Sequence, residues 1–494
     1  MTNTAHADSG SDQPGQPDHG GTDGSANADP KAMLLIGMLV ASAFVMILNE
    51  TILSVALRDL STELNVTTTT AQWLTSGFLL TMAVVIPTTG FLLERFTPRQ
   101  VFLASLTLFS TGTLVSALAP AFGVLLTGRV IQACGTAVMI PLLMTSVMRL
   151  VPEERRGSTM GTISIVIAVA PALGPTIGGA ILSGLGWRWM FWLVLPLSVG
   201  ALLIGAKWLD LHSETRRVPL DVFSVILSAL GFGGLLYGLS SIGEGGGEHL
   251  VPPWLPIVLG AVALAVFVRR QLRLQRADRA LLDLRPFAIR DFVVSLTLTG
   301  LLFMCLLGVA SILLPLYLQE VIGVSTFQSG LAVLPGGLVL GLLGRPVGAL
   351  YDRVGPRPLV IPGTVAMAAG LWLYTTLGPG SSMLTVVVYH VIMMTGLALM
   401  MTPLMTQALG SLTHHLHSHG SAILATLQQV AGAFGTAVFI TVATLGSAVG
   451  AVRPDADGLR VAFMGAGVIG LIAVGTSLLL SKEKAHAEGG APVH

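Results

Sequence analysis

Apolar residues come along this chain in long uninterrupted runs separated by short polar breaks. A helix needs roughly 20 predominantly apolar residues to cross a bilayer. Fourteen runs meet that length, near 33–57, 71–93, 100–119, 122–148, 158–183, 189–209, 221–243, 250–268, 292–318, 328–350, 359–377, 383–409, 420–446 and 461–480. Pro252, Pro253 and Pro256 crowd the start of the eighth. The expectation is an all-α polytopic membrane protein with fourteen spans. Met1 to Pro30 breaks the pattern: rich in Gly, Asp, Ser, Asn and Pro, it cannot bury enough surface to offset chain entropy, and a disordered tail is expected. It lacks the basic start and short apolar core of a signal peptide.

Composition agrees. Of 494 residues, 53% are hydrophobic and only 10% charged, against about 25% charged in soluble domains, so most of the surface faces something other than water. A net charge of +1 gives no broad attraction to nucleic acid. Cys134 and Cys305 lie within apolar runs and read as small buried hydrophobes rather than a disulfide or metal framework.

Basic residues concentrate in the cytoplasmic loops of membrane proteins. With the N-terminus inside, 20 of the 26 Lys and Arg residues fall on the inner side, 4 on the outer (Arg58, Arg188, Arg453 and Arg460), and Arg129 and Arg345 within spans. A missed or invented span would invert everything after it and destroy this bias, so both termini are expected to be cytoplasmic. The longest hydrophilic connection, Arg269 to Asp291, is expected as an interfacial helix or, equally, a solvated basic linker.

Two loops share one pattern. After the second span comes Gly90-Phe-Leu-Leu-Glu94-Arg95-Phe-Thr-Pro-Arg99, and after the tenth Gly348-Ala-Leu-Tyr-Asp352-Arg353-Val-Gly-Pro-Arg357. Each has Gly, an acid four residues on, then Arg, then Arg four further. Such an internal repeat is expected of transporters built from duplicated bundles. Gly lets helices approach closely, and the acid can meet a helix N-terminus or a neighbouring Arg. The loops would latch the inner ends in one state; the plainer alternative is a solvated turn kept for topology.

This repeat resembles the signature loop of the major facilitator superfamily, and three further segments are similar to those of its fourteen-span drug:proton antiporters. They are Arg129-Val-Ile-Gln132-Ala-Cys-Gly135 in the fourth span, Ala170-Pro171-Ala-Leu-Gly174-Pro175-Thr-Ile-Gly178-Gly179 in the fifth, and Leu48-Asn49-Glu50-Thr51-Ile52-Leu-Ser-Val55-Ala56-Leu57 in the first. In the first-span motif Asn49 stands at the usual Asp position, with Glu50 beside it. The resemblance covers residues 33–480. It implies two six-helix bundles, 31–211 and 291–481, flanking 212–290, which holds two linker helices and a cytoplasmic connector; 1–30 and 482–494 are cytoplasmic tails. It also implies export of small hydrophobic or cationic organic compounds, driven by protons, through a monomer in the plasma membrane, with no cofactor, metal, nucleic acid or enzymatic activity.

Glu50 and Arg129 lie in apolar spans, where ionisable groups are costly and usually functional. Both sit roughly 10 Å deep at ~1.5 Å rise per residue, so they can meet, and pairing would avoid an isolated buried charge. They are the expected proton-coupling residues. Gly174 and Gly178 make one smooth face, while Pro171 and Pro175 remove backbone hydrogen bonds and favour a bend. Together with Gly179 they are expected to control sealing between the bundles, ordinary tight packing being the alternative. The histidines of the 414–419 loop read as solvated, and His390 as a hydrogen-bonded structural residue. Gly465-Ala-Gly467-Val-Ile-Gly470 fits a dinucleotide fingerprint but lies inside a span. No HExxH, GxSxG or phosphate-binding loop occurs. A dedicated metabolite exporter and a channel or scaffold remain the rivals.

Overall fold

The computed structural model describes residues 30–208, 221–243, 251–448 and 454–482, and within them only helices and connecting turns occur. Residues 1–29 and 483–494 and the loops carrying Arg216, Arg217 and Arg453 lie outside the described residues. In chain order the helices are α1 (Pro30–Glu63), α2 (Thr68–Val85), α3 (Thr89–Arg95), α4 (Pro98–Ala117), α5 (Phe122–Leu150), α6 (Glu153–Leu185), α7 (Arg188–Trp208) and α8 (Val222–Gly243). They continue with α9 (Trp254–Leu274), α10 (Arg290–Cys305), α11 (Leu314–Glu320), α12 (Thr326–Val354), α13 (Arg357–Tyr374), α14 (Met383–Gly410), α15 (His417–Gly446) and α16 (Ala456–Ser477).

Each expected apolar run holds helix. A 3₁₀ turn at Ile86–Thr88 joins α2 to α3, and a π-helical stretch at Leu306–Leu313 joins α10 to α11, so each of those runs is continuous. Among the described residues, twelve helical runs are long and apolar enough to cross a membrane. The expected segments outside that twelve are α6 and α13, both with glycines pressed against neighbouring helices (Gly157 and Gly161; Gly363 and Gly370).

Helix starts follow ordinary chemistry. Thr97 and Ser325 form capping boxes with Gln100 and Gln328, and the Asp455 carboxylate caps α16. In the first half α4 packs on α5 and α7, and α1 on α6; in the second α13 packs on α14 and α16, and α12 on α14. The halves meet along α6 and α12, and also where α15 approaches α3 and α5. The hairpin of α8 and α9 touches both halves, with α8 against α2 and α15. Glycines make the hairpin tight: a Cβ on Gly234 or Gly260 would strike the partner helix's backbone. On α9 only Gly260, Phe267 and Gln271 are buried, so that helix is peripheral.

The connection after α9 is no interfacial helix. It consists of short 3₁₀ turns at Gln275–Ala277 and Arg285–Ala288, a left-handed Asp278, and a buried stretch Leu281, Leu282, Asp283. Nor is the histidine loop wholly solvated: His414 and His415 are exposed, whereas His417 and His419 are buried.

Candidate functional site

Arg129 is fully buried on α5, and its guanidinium is held by neutral partners that the sequence did not indicate. Its Nη1 donates to Asn49 Oδ1 at 3.1 Å and to Gln132 Oε1 at 3.0 Å; its guanidinium lies 4.1 Å from the Phe78 ring centroid. Gln132 Nε2 in turn donates to Thr113 Oγ1 at 2.7 Å and to Asn49 Oδ1 at 3.3 Å. Four helices, α1, α2, α4 and α5, therefore meet in one polar knot. Asn49, at the position expected to hold the acid, acts as the guanidinium's neutral acceptor.

Glu50 is half-buried, and no ion pair joins it to Arg129, so the expected direct pairing is absent from this conformation. The two groups are nevertheless close enough to interact electrostatically. Arg129 Nη2 is buried without a hydrogen-bond partner among the described residues. A buried charged donor left unpaired is expensive, and it offers a place for a mobile acceptor.

Gly174 and Gly178 face α1, not the junction of the halves. A Cβ at Gly174 would collide with Thr51, and one at Gly178 with the Ile52 backbone. The α6 glycines thus hold that helix against the two residues that follow Glu50. Gly179 meets open space; Pro171 is half-buried; and α6 runs unbroken through Pro171 and Pro175. The smooth seam between the halves lies instead at the other end of α6. Gly157 and Gly161 press backbone to backbone against Gly348 and Gly344 of α12, leaving no room for a methyl group. The sequence signal for this seam is a four-residue glycine spacing in each of the two helices.

The repeated loops sit at this same end. Asp352 accepts hydrogen bonds from the Gly157 and Ser158 amides, both at 2.8 Å, so the second-half acid caps the early turns of α6 across the junction. The first-half acid makes the counterpart contact with a side chain: His419 Nε2 at the start of α15 lies 3.0 Å from Glu94 Oε1. Gly90 leaves the room for that imidazole, since a Cβ there would lie 2.6 Å from Nδ1. Arg149 Nη2 donates to Ser418 Oγ at 3.0 Å, Thr145 meets Ser421 at 2.8 Å, and Ser164 meets Thr402 at 2.8 Å, adding three more ties between the halves. The trailing arginines are also equivalent. Arg99 donates to the Ala206 carbonyl at the end of α7 (2.7 Å), and Arg357 to the Leu478 carbonyl just after α16 (3.2 Å). Each closes the C-terminal end of a helix in its own half. Arg95 and Arg353 are exposed.

His390 is buried on α14, with its Nδ1 3.0 Å from the Tyr374 hydroxyl. Its place corresponds to that of Arg129: each is the eighth residue of its helix.

Residues 39–436 match the profile of the Major Facilitator Superfamily. The chain is 41% identical over 413 residues to the lincomycin resistance protein LmrB of Listeria monocytogenes, covering 83% of this chain and 86% of that one. It is 37% identical to the protein of the same name from Bacillus subtilis over 428 residues (86% and 88%), and 30% identical to a multidrug resistance protein B homolog of Mycobacterium tuberculosis over 419 residues (83% and 75%). Among solved structures, the human organic anion transporter MFSD10 superposes with a TM-score of 0.63 at 17% identity, covering 91% of this chain and 100% of that one. A double Trp mutant of XylE superposes with a TM-score of 0.65 at 16% identity (92% and 97%). At those identities the likeness establishes the fold alone.

Proposed function

The chain belongs to the major facilitator superfamily, within its drug-exporter family, and from that premise we propose that it is a proton-coupled antiporter exporting small hydrophobic or cationic organic compounds by alternating access. Lincomycin, for which its relatives are named, heads the candidate substrates. In this reading α6 and α13 complete fourteen spans, both termini face the cytoplasm, and the end carrying Glu94 and Asp352 is the cytoplasmic end of a plasma-membrane protein. The two bundles are 31–211 and 291–481, the segment 212–290 carries the added helices, and the monomer is the working unit.

The observation that carries the proposal is the pair of acid-centred fastenings. Two copies of one sequence pattern tie opposite halves together at one end, and both must release for that end to open. Carriers that alternate by rocking one bundle against the other need such a releasable closure. Glu50 supplies the coupling. A carboxyl group near a buried guanidinium whose Nη2 is unpaired has a charged state that favours swinging toward Arg129 and a neutral state that does not. Because Gly174 and Gly178 hold α6 on Thr51 and Ile52, a shift of α1 at Glu50 is passed directly to the helix that closes on α12. One proton moved through 100 mV yields ~2.3 kcal/mol, enough for roughly a fifty-fold substrate gradient.

Everted vesicles loaded with a pH-sensitive dye and presented with a compound panel test this reading. Saturable, substrate-dependent proton movement is expected. Flux that neither saturates nor moves protons would indicate a channel, and a response confined to one metabolite would indicate a dedicated exporter.

A further inference from the structure

The two added helices are joined to the Glu94–His419 fastening by a continuous line of hydrogen bonds. At the start of α8, Asp221 holds Arg270 of α9 at 2.7 and 3.0 Å and accepts from Ser224 Oγ at 2.6 Å. Buried Gln271 of α9 donates to Ser224 Oγ at 2.7 Å, and its Oε1 accepts from the amides of Leu281 (2.8 Å) and Leu282 (3.3 Å). The next amide, that of Asp283, donates to His419 Nδ1 at 3.3 Å. On its other side the same ring meets Glu94.

We propose that residues 281–283 are a working part of the closure: pinned by Gln271, they present the Asp283 amide to His419 and fix that ring with its Nε2–H toward Glu94, making the added hairpin a positioning element for the gate. A neutral imidazole has one N–H and one lone pair. An amide donating to Nδ1 requires the lone pair there, which puts the proton on Nε2, facing the carboxylate. Without that amide the ring loses the partner that holds Nδ1: it turns away from Glu94 more readily, and the other tautomer, whose Nε2 lone pair would face the carboxylate, is no longer disfavoured on that side. The charged groups around the ring are Glu94 itself, Arg149, which lies within electrostatic reach of Glu94 and bonds Ser418, and Asp283. The mechanism requires no change in their protonation. The other fastening needs no such support, because the donors to Asp352 are backbone amides with one fixed hydrogen each. The added helices are thus placed beside the one closure whose donor can change form.

This inference rests on the alternating-access reading, but its test needs neither substrate nor gradient. Spin labels at Glu154 and His415, exposed residues on opposite halves, report opening of this end in purified protein with Cys134 and Cys305 replaced by Ala. Q271M removes the groups that hold the connector, and the closed-to-open ratio is expected to fall roughly fivefold, the scale of one net hydrogen bond. H419Q supplies an amide donor to Glu94 that has no tautomers, so adding Q271M to H419Q is expected to change the distances little. If Q271M does not accumulate, S224A, which removes the hydroxyl that orients Gln271, carries the same comparison. Unchanged distances in Q271M, or an equal shift in the wild-type and H419Q backgrounds, would overturn the proposal. D352N serves as the control: opening in D352N together with no effect of Q271M would leave the transport reading intact and reject this one alone.

Discussion

Glu50 is expected to be the residue whose neutralisation separates binding from driven transport. E50Q keeps the shape and removes the charge, so it should bind substrate yet lose uphill export, while E50D should retain partial activity; substrate binding and pH-driven uptake into everted vesicles measure both. R129A should be worse, since it empties a fully buried knot, and should also lower the amount of folded protein. N49A leaves the guanidinium with one fewer acceptor; the cost is expected at about 1–3 kcal/mol, read as a lower melting temperature in detergent. Arg129 was legible in the sequence because an ionisable residue in an apolar run stands out. Asn49 was visible only as a departure from a pattern. Thr113 and Phe78 gave no signal, because a Thr or Phe in a span is ordinary and their meaning arises only when helices distant in sequence come together.

Among the helices, the critical pairings are α6 on α1 and α6 on α12, and they fail differently when glycine is filled. Gly161→Leu should hold the Gly344 seam apart, abolishing transport and lengthening the Glu154–His415 distance while leaving membrane insertion normal. Gly174→Leu should also abolish transport, but by separating α6 from Thr51 without opening the seam. Full transport by either variant would contradict the role given to its interface. The bases of α8 and α9 allow a pH prediction. Hydrogen bonds from Arg270 hold the Asp221 carboxyl below its usual range. A depressed carboxyl contributes stability above its unfolded value of about 3.9, lost only as pH falls through the lower folded value. D221N should therefore reduce the melting temperature by the same amount throughout about pH 5 to 8. Element positions were readable because length and apolarity alone determine a bilayer helix. Which face met which neighbour was not: α6 carries two glycine faces, and the one that meets the junction is Gly157 and Gly161, not the motif glycines Gly174 and Gly178.

At the scale of the molecule, the Gly–acid–Arg repeat discloses the duplication in the sequence itself, and both acids do tie the halves together. What the repeat conceals is an asymmetry, one acid meeting the amides of Gly157 and Ser158 and the other the side chain of His419, although both partner helices carry a Gly-Ser pair near their start, Gly157-Ser158 and Gly420-Ser421. In the sequence His419 is one of four histidines in a polar loop, and only the folded connector shows it buried. Cysteine labels introduced by E154C and G380C, at two exposed positions, are expected to react from the inner and outer side respectively. Reaction of the E154C variant from outside intact cells would invert the topology. The central claim, that proton movement through Glu50 drives export, is tested most directly with purified protein in liposomes. An imposed pH gradient should drive lincomycin or another transported compound to a several-fold gradient with the wild-type chain, whereas E50Q should only equilibrate it. Equal gradient-driven accumulation by the wild type and E50Q would contradict the account.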